Sequence, residues 1–73
     1  MNSIGKNKFE HLSGEKKQLI IDASVSEFAQ NGFKNASVNK IVENAGIAKG
    51  SLFNYFKSKS LLFEHIYNIA FNE

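Results

Sequence analysis

An all-α fold is predicted by three features of this 73-residue chain. Apolar residues recur at three- and four-residue spacing in four successive stretches, as helices that bury one face require. Serine or glycine punctuates those stretches at positions suited to helix ends. Alternation of period two, the mark of a half-buried strand, occurs nowhere. The expected architecture is a three-helix bundle followed by the beginning of a fourth helix.

The first helix is expected over roughly 14–31. Ile21, Val25 and Phe28 fall at i, i+4 and i+7, with Ile20 and Ser24 beside them. Ser13 is placed to cap its start, and Gly32 to end it in left-handed geometry, after which Phe33 folds back on the helix end. The second helix runs from its cap Ser37 to about Ala45. Val38, Ile41, Val42 and Ala45 share its inner face, while Asn39, Lys40, Glu43 and Asn44 face out. Gly46 ends it. The third helix covers 48–55, where Leu52 and Phe56 point one way and Gly50 and Asn54 the opposite way, with Ser51 and Phe53 on the flanks. The fourth begins after its cap Ser58 and aligns Leu62, Ile66 and Ile69, with Phe63 beside them. Residues 1–12 show no period and are expected to form a flexible arm, leaving 13–73 as the folded domain.

Composition narrows the function. The chain has seven Phe, no Pro and 42 % hydrophobic residues, which is a folded composition. It contains no Cys, so neither disulfides nor thiolate metal sites are available. No apolar run approaches the ~18 residues that span a bilayer, and the N-terminus lacks a signal-peptide core. A reducing, cytoplasmic setting fits these features, without membrane attachment. His11 and His65 are the only histidines and are far apart in sequence, so no metal or cofactor is expected. No nucleophile–base–orienter trio is visible, and no enzyme is expected. Ser37–Lys40 fits S-x-x-K but lacks the partner motifs of acyl-enzymes.

Net charge is only +2, but it is unevenly distributed. Between 32 and 60 stand Lys34, Lys40, Lys49, Lys57 and Lys59 against Glu43 alone, whereas the flanking stretches are acidic. A solvated lysine face would account for this by itself. Every basic residue is Lys, so the bidentate arginine fork that reads guanine best is missing.

The spacing of the second and third helices is more specific. Two short helices joined by Ala45-Gly46-Ile47-Ala48 match a helix-turn-helix plan. Gly46 supplies the tight turn, Ile47 plugs the angle, and Ala45 lets the helices approach. Gly50 then poses a question, because glycine inside a helix costs about 1 kcal/mol against alanine. Position 50 faces away from Leu52 and Phe56, so close approach to an outside surface explains it better than internal packing. The start of a recognition helix entering a major groove is such a surface. Lys49 and Ser51 then reach phosphates or base edges, Asn54 is placed to bond adenine, and Tyr55 and Lys59 take flanking phosphates. Lys59 also lies near the positive end of the fourth helix, an unfavourable place for a cation without an anion beside it.

Residues 17–33 and 37–63 resemble the N-terminal DNA-binding domain of the tetracycline-repressor (TetR/AcrR) family. The resemblance is carried by I-I-D-A at 20–23, F-A-Q-N-G-F at 28–33, S-V-N-K-I-V-E-N-A-G-I at 37–47, K-G-S-L-F-N-Y-F at 49–56 and S-K-S-L-L-F at 58–63. The family pattern over the later part is similar to A-G-V-S-x-G-T-L-Y-x-Y-F-x-S-K-E-x-L. It implies sequence-specific binding of double-stranded, palindromic operators by a dimeric transcriptional regulator, usually a repressor. It implies phosphate contact at Ser37, reading at Lys49, Gly50, Ser51 and Asn54, and phosphate contacts at Tyr55 and Lys59. Ala48 replaces the usual Ser or Thr cap, Ser60 replaces a usual Glu, and Phe53 replaces a usual Tyr, leaving only a ring contact at 53. The family's C-terminal helical domain, which dimerises and binds a small-molecule effector, is absent from these 73 residues, so the chain reads as a fragment of a longer regulator. A different class of function, a small protein-interaction module, would use Phe63, Tyr67 and Phe71 as an aromatic surface for a partner helix.

Overall fold

The computed structural model describes residues 8–71, and in that span the chain is helical without strands. A helical turn at 8–10 precedes four helices: α1 (Gly14–Asn35), α2 (Val38–Ala45), α3 (Lys49–Tyr55) and α4 (Lys59–Phe71). Helix α1 packs on α2 and on α4, and α2 packs on α3. None of these helices is long and apolar enough to cross a membrane.

The helix ends follow local chemistry. The hydroxyl oxygens of Ser13, Ser37 and Ser58 accept hydrogen bonds from the backbone N–H groups of Lys16, Lys40 and Leu61 at 3.1, 3.2 and 3.2 Å. Each satisfies one of the donors that a helix start leaves without a partner. Ala48 stands at the start of α3 with no side-chain cap. At the end of α2, Gly46 is left-handed (φ 75°, ψ 33°). Gly46 N–H donates to Glu43 O at 3.3 Å and Ile47 N–H to Val42 O at 3.1 Å, the pairing that closes a helix through a left-handed residue. Gly32 also has positive φ, at 74°, but its ψ of 171° places it in the extended glycine-only region rather than the left-handed helical one. The chain therefore kinks at Gly32 and makes one more helical turn to Asn35.

One core joins all the elements. Ile20, Ala23 and Phe28 of α1, Ile41, Val42 and Ala45 of α2, Leu52 of α3, Phe56 after it, and Leu62 and Ile66 of α4 are buried together with Ala36. The apolar stripe of α1 is rotated from the one expected. Ile20, Ser24 and Phe28 form the innermost line, Ile21 is half-buried, and Val25 is 38 % exposed. Positions 20, 21, 24, 25 and 28 offer two adjacent stripes that share Phe28, and packing against α2 and α4 selects between them. On α4, Leu62 and Ile66 are buried as expected but Ile69 is 45 % exposed. Beyond Ile66, Tyr67 and Ala70 face a groove lined on the other side by Val25 and Ala29 of α1, and Ile69 falls to solvent.

The expected arm is corrected over its second half. Phe9 is 2 % exposed and belongs to the core, and Leu12 packs against that core. The Phe9 ring lies 5.1 Å from Phe56, 5.2 Å from His65 and 6.2 Å from Tyr55, centroid to centroid. An exposed ion pair between Lys17 and Glu10, at 3.3 Å, ties the same turn to α1. Residues 1–7 lie outside the described residues.

Rotation of α1 has a further consequence. Ser24 is fully buried, and among the described residues its hydroxyl has no hydrogen-bond partner. Burying such a group costs free energy that a methyl does not. Ser24→Ala is therefore expected to raise the unfolding free energy by about 1 kcal/mol. A urea melt of the two proteins checks this, and a lower midpoint for the variant counts against it.

Candidate nucleic-acid interface

Helix α3 rests on the core through Leu52 and presents Lys49, Gly50 and Asn54 to solvent. Ser51 and Phe53 are half-buried on its flanks, as the helical wheel required. Gly50 has ordinary helical backbone geometry, since among the described residues only Gly32 and Gly46 are glycines with positive φ. A Cβ built on Gly50 would meet nothing within 4 Å. Neither backbone conformation nor internal packing requires glycine there.

Tyr55, at the end of α3, is half-buried with its ring edge against Phe9. That contact holds the ring from behind and limits the rotamers open to it. Signal for Phe9 in the sequence was confined to one aromatic residue in a segment without periodicity.

Ser37 and Lys59 are brought to one corner. Ser37 is half-buried; its hydroxyl oxygen caps α2, and its backbone N–H donates to Glu27 Oε2 at 2.9 Å. Glu27 also accepts from Asn31 Nδ2 at 2.9 Å. A carboxylate beside the start of α2 is favourably placed against the helix dipole. The Lys59 ammonium turns toward the end of α1. It donates to Ala36 O at 3.1 Å and Lys34 O at 3.3 Å and sits 4.8 Å from the Phe33 ring centroid. Two of its three N–H groups are thus committed, leaving one for an outside acceptor. The unfavourable position near the start of α4 is offset by carbonyls at the end of another helix. Glu27 went unremarked in the sequence because its partner is the backbone of a residue ten positions on.

The alternative aromatic surface is only partly present. Phe63 turns inward, edge-on to Phe28 at 4.9 Å and to Phe33 at 5.2 Å. Tyr67 is 52 % exposed, and the Phe71 side chain lies outside the described residues. Beside them an apolar groove of about 220 Å³ runs between α1 and α4. Among the described residues no cluster of His, Asp or Glu is arranged to hold a metal ion.

The family profile of bacterial regulatory proteins of the tetR family matches residues 20–66. The chain belongs to the tetR family. It is also similar to individual regulators. It is 34 % identical over 63 residues to the HTH-type transcriptional regulator AcrR of Shigella flexneri, covering 86 % of this chain and 29 % of that protein. It is 31 % identical over 62 residues to the HTH-type transcriptional regulator YhgD of Bacillus subtilis, covering 85 % of this chain and 32 % of the relative. With the HTH-type transcriptional repressor Rv1474c of Mycobacterium tuberculosis it shares 32 % identity over 54 residues, or 74 % of this chain and 28 % of that one. The chain therefore spans about a third or less of the length of each of these relatives. No solved structure matches the chain. The matched region of this tetR-family chain runs from within α1 to within α4, so it includes all eight residues expected to meet DNA.

Proposed function

We propose that this tetR-family chain binds double-stranded DNA as a transcriptional regulator, with α3 seated in the major groove. The observation that carries the reading is Gly50, bare and exposed on α3 where nothing among the described residues requires it. Lys49, Ser51 and Asn54 reach base edges or phosphates around it, Phe53 contributes ring contact, and Ser37 and Tyr55 fix the register on the backbone. The action is binding without catalysis. Repression fits the naming of the Rv1474c relative. A palindromic operator, a homodimer and a small-molecule effector are proposed for a longer chain, since this one covers about a third or less of those relatives. The location proposed is the cytoplasm, where a bacterial regulator meets its DNA.

The test is a fluorescence-anisotropy titration against random-sequence and AT-rich duplexes at several salt concentrations. Binding is expected to weaken as salt rises, with a log–log slope of about −0.9 per phosphate neutralised. Tyr55→Ala is expected to weaken binding, and Lys49→Ala to make the slope shallower by about 0.9 if Lys49 meets a phosphate. Binding with no salt dependence rules the reading out and favours docking through the apolar groove, whereas a folded chain that binds no duplex at low salt favours either that docking or a reader that needs the dimer of a longer chain.

A further inference from the structure

The peptide bond between Ala36 and Ser37 is held from both sides by opposite charges. Its carbonyl oxygen accepts from Lys59 Nζ at 3.1 Å, and its N–H donates to Glu27 Oε2 at 2.9 Å. The cation sits at the negative end of the peptide dipole and the anion at the positive end. Hydrogen bonds to ionised groups are the stronger kind, and here two of them act on one planar unit. Each charged group is itself braced: Glu27 by Asn31, and Lys59 by Lys34 O and the face of Phe33. Glu27, Phe33 and Lys34 belong to α1 and Lys59 to α4, so the clamp ties α1 and α4 together at the N-cap of α2.

We propose that Glu27 and Lys59 clamp this peptide so that the Ser37 hydroxyl faces the DNA backbone, and that Lys59 is a positioning residue for that contact instead of neutralising a phosphate of its own. The consequence for DNA rests on the binding reading above, whereas the clamp itself does not. The proposal reverses the expected sign at Glu27. An anion near a phosphate repels it, so simple charge counting has Glu27→Ala tighten binding. The clamp has the same change weaken it, because Ser37 loses its orientation.

Two readouts on the whole chain test this, with circular dichroism confirming that each variant is folded. The first is amide hydrogen exchange at Ser37, which needs no DNA. Lys59→Met is expected to speed that exchange about tenfold, as the loss of one charge-assisted hydrogen bond would. It does so although Lys59 touches the carbonyl and not the amide. Lys59→Arg retains most of the protection, and Lys59→Gln gives the same reading as Met should that variant fold poorly. The second readout is DNA affinity against salt. Glu27→Ala is expected to weaken binding about tenfold, with Glu27→Gln in between, and Lys59→Met to weaken it without changing the salt slope. The double variant Glu27→Ala/Lys59→Met is expected to be no weaker than the worse single one, because both act through one peptide.

Unchanged Ser37 exchange in folded Lys59→Met overturns the clamp whatever DNA does. Tighter binding by Glu27→Ala, or a slope shallower by about 0.9 in Lys59→Met, overturns the assignment of Lys59 as a positioning residue. A wild-type chain that binds no DNA bears on the functional reading instead, and the exchange experiment still decides the clamp.

Discussion

Phe9→Ala is expected to lower the unfolding free energy by about 3–5 kcal/mol, the usual cost of emptying a buried aromatic site. At roughly 0.05–0.15 kcal/mol per residue, a domain of 73 residues has about 4–11 kcal/mol in all, so this is a large share of it. Phe9 is 2 % exposed, and its ring contacts those of Phe56 and His65 as well as the edge of Tyr55. Beside the ring, residues 8–12 are held by Leu12, half-buried against the core. Leu12 N–H donates to Phe9 O at 3.1 Å, and the Lys17–Glu10 ion pair is exposed and worth little. Removing the ring therefore undocks the turn and leaves Phe56 and His65 facing a cavity. Tyr55 loses its backstop, so DNA affinity should fall further than the folded fraction alone accounts for. Urea denaturation followed by circular dichroism measures the first effect, and titration under conditions where the variant is folded measures the second. A loss of stability below about 1 kcal/mol would mean that Phe9 does not pack this way in solution.

Gly50→Leu is expected to move stability and binding in opposite directions. Leucine is the better helix former by nearly 1 kcal/mol, and a Cβ at position 50 meets nothing within 4 Å. The variant should unfold at higher urea, with a gain of about 0.5–1 kcal/mol. Against DNA the same side chain intrudes on a close-packed contact. Overpacking of that kind costs about 1–3 kcal/mol, which corresponds to a loss of about 5- to 150-fold in affinity. A core residue cannot show this split, because a change that stabilises the fold would leave its function intact. Unchanged affinity in a well-folded Gly50→Leu protein would remove α3 from the groove.

Features that depend on residues close in sequence were legible. Ser13, Ser37 and Ser58 cap the next turn of their own helices, and a cap bonds only three residues ahead. Gly46 ends α2 for the same local reason. The faces of α3 were legible because Leu52 and Phe56 are opposed to Gly50 and Asn54 with no competing stripe. On α1 two stripes competed, and the innermost line through Ser24 was not the more hydrophobic one. Gly32 was legible as a helix stop, but its extended ψ and the extra turn to Asn35 were not, nor was the distant partner of Phe33. That partner includes Phe63, an aromatic residue of α4.

By itself the sequence determined four helices, their caps, the turn between α2 and α3, and the bare outward face at Gly50. All of these follow from periodicity and from bonds that close within one helical turn. Tertiary structure alone decided that Phe9 enters the core, which side of α1 faces inward, and that Lys59 reaches back to the Ala36 carbonyl while Glu27 holds the next N–H. Those choices depend on groups far apart along the chain. A residue's type and neighbours state what it can bond, and only the packed arrangement of helices states what comes within reach.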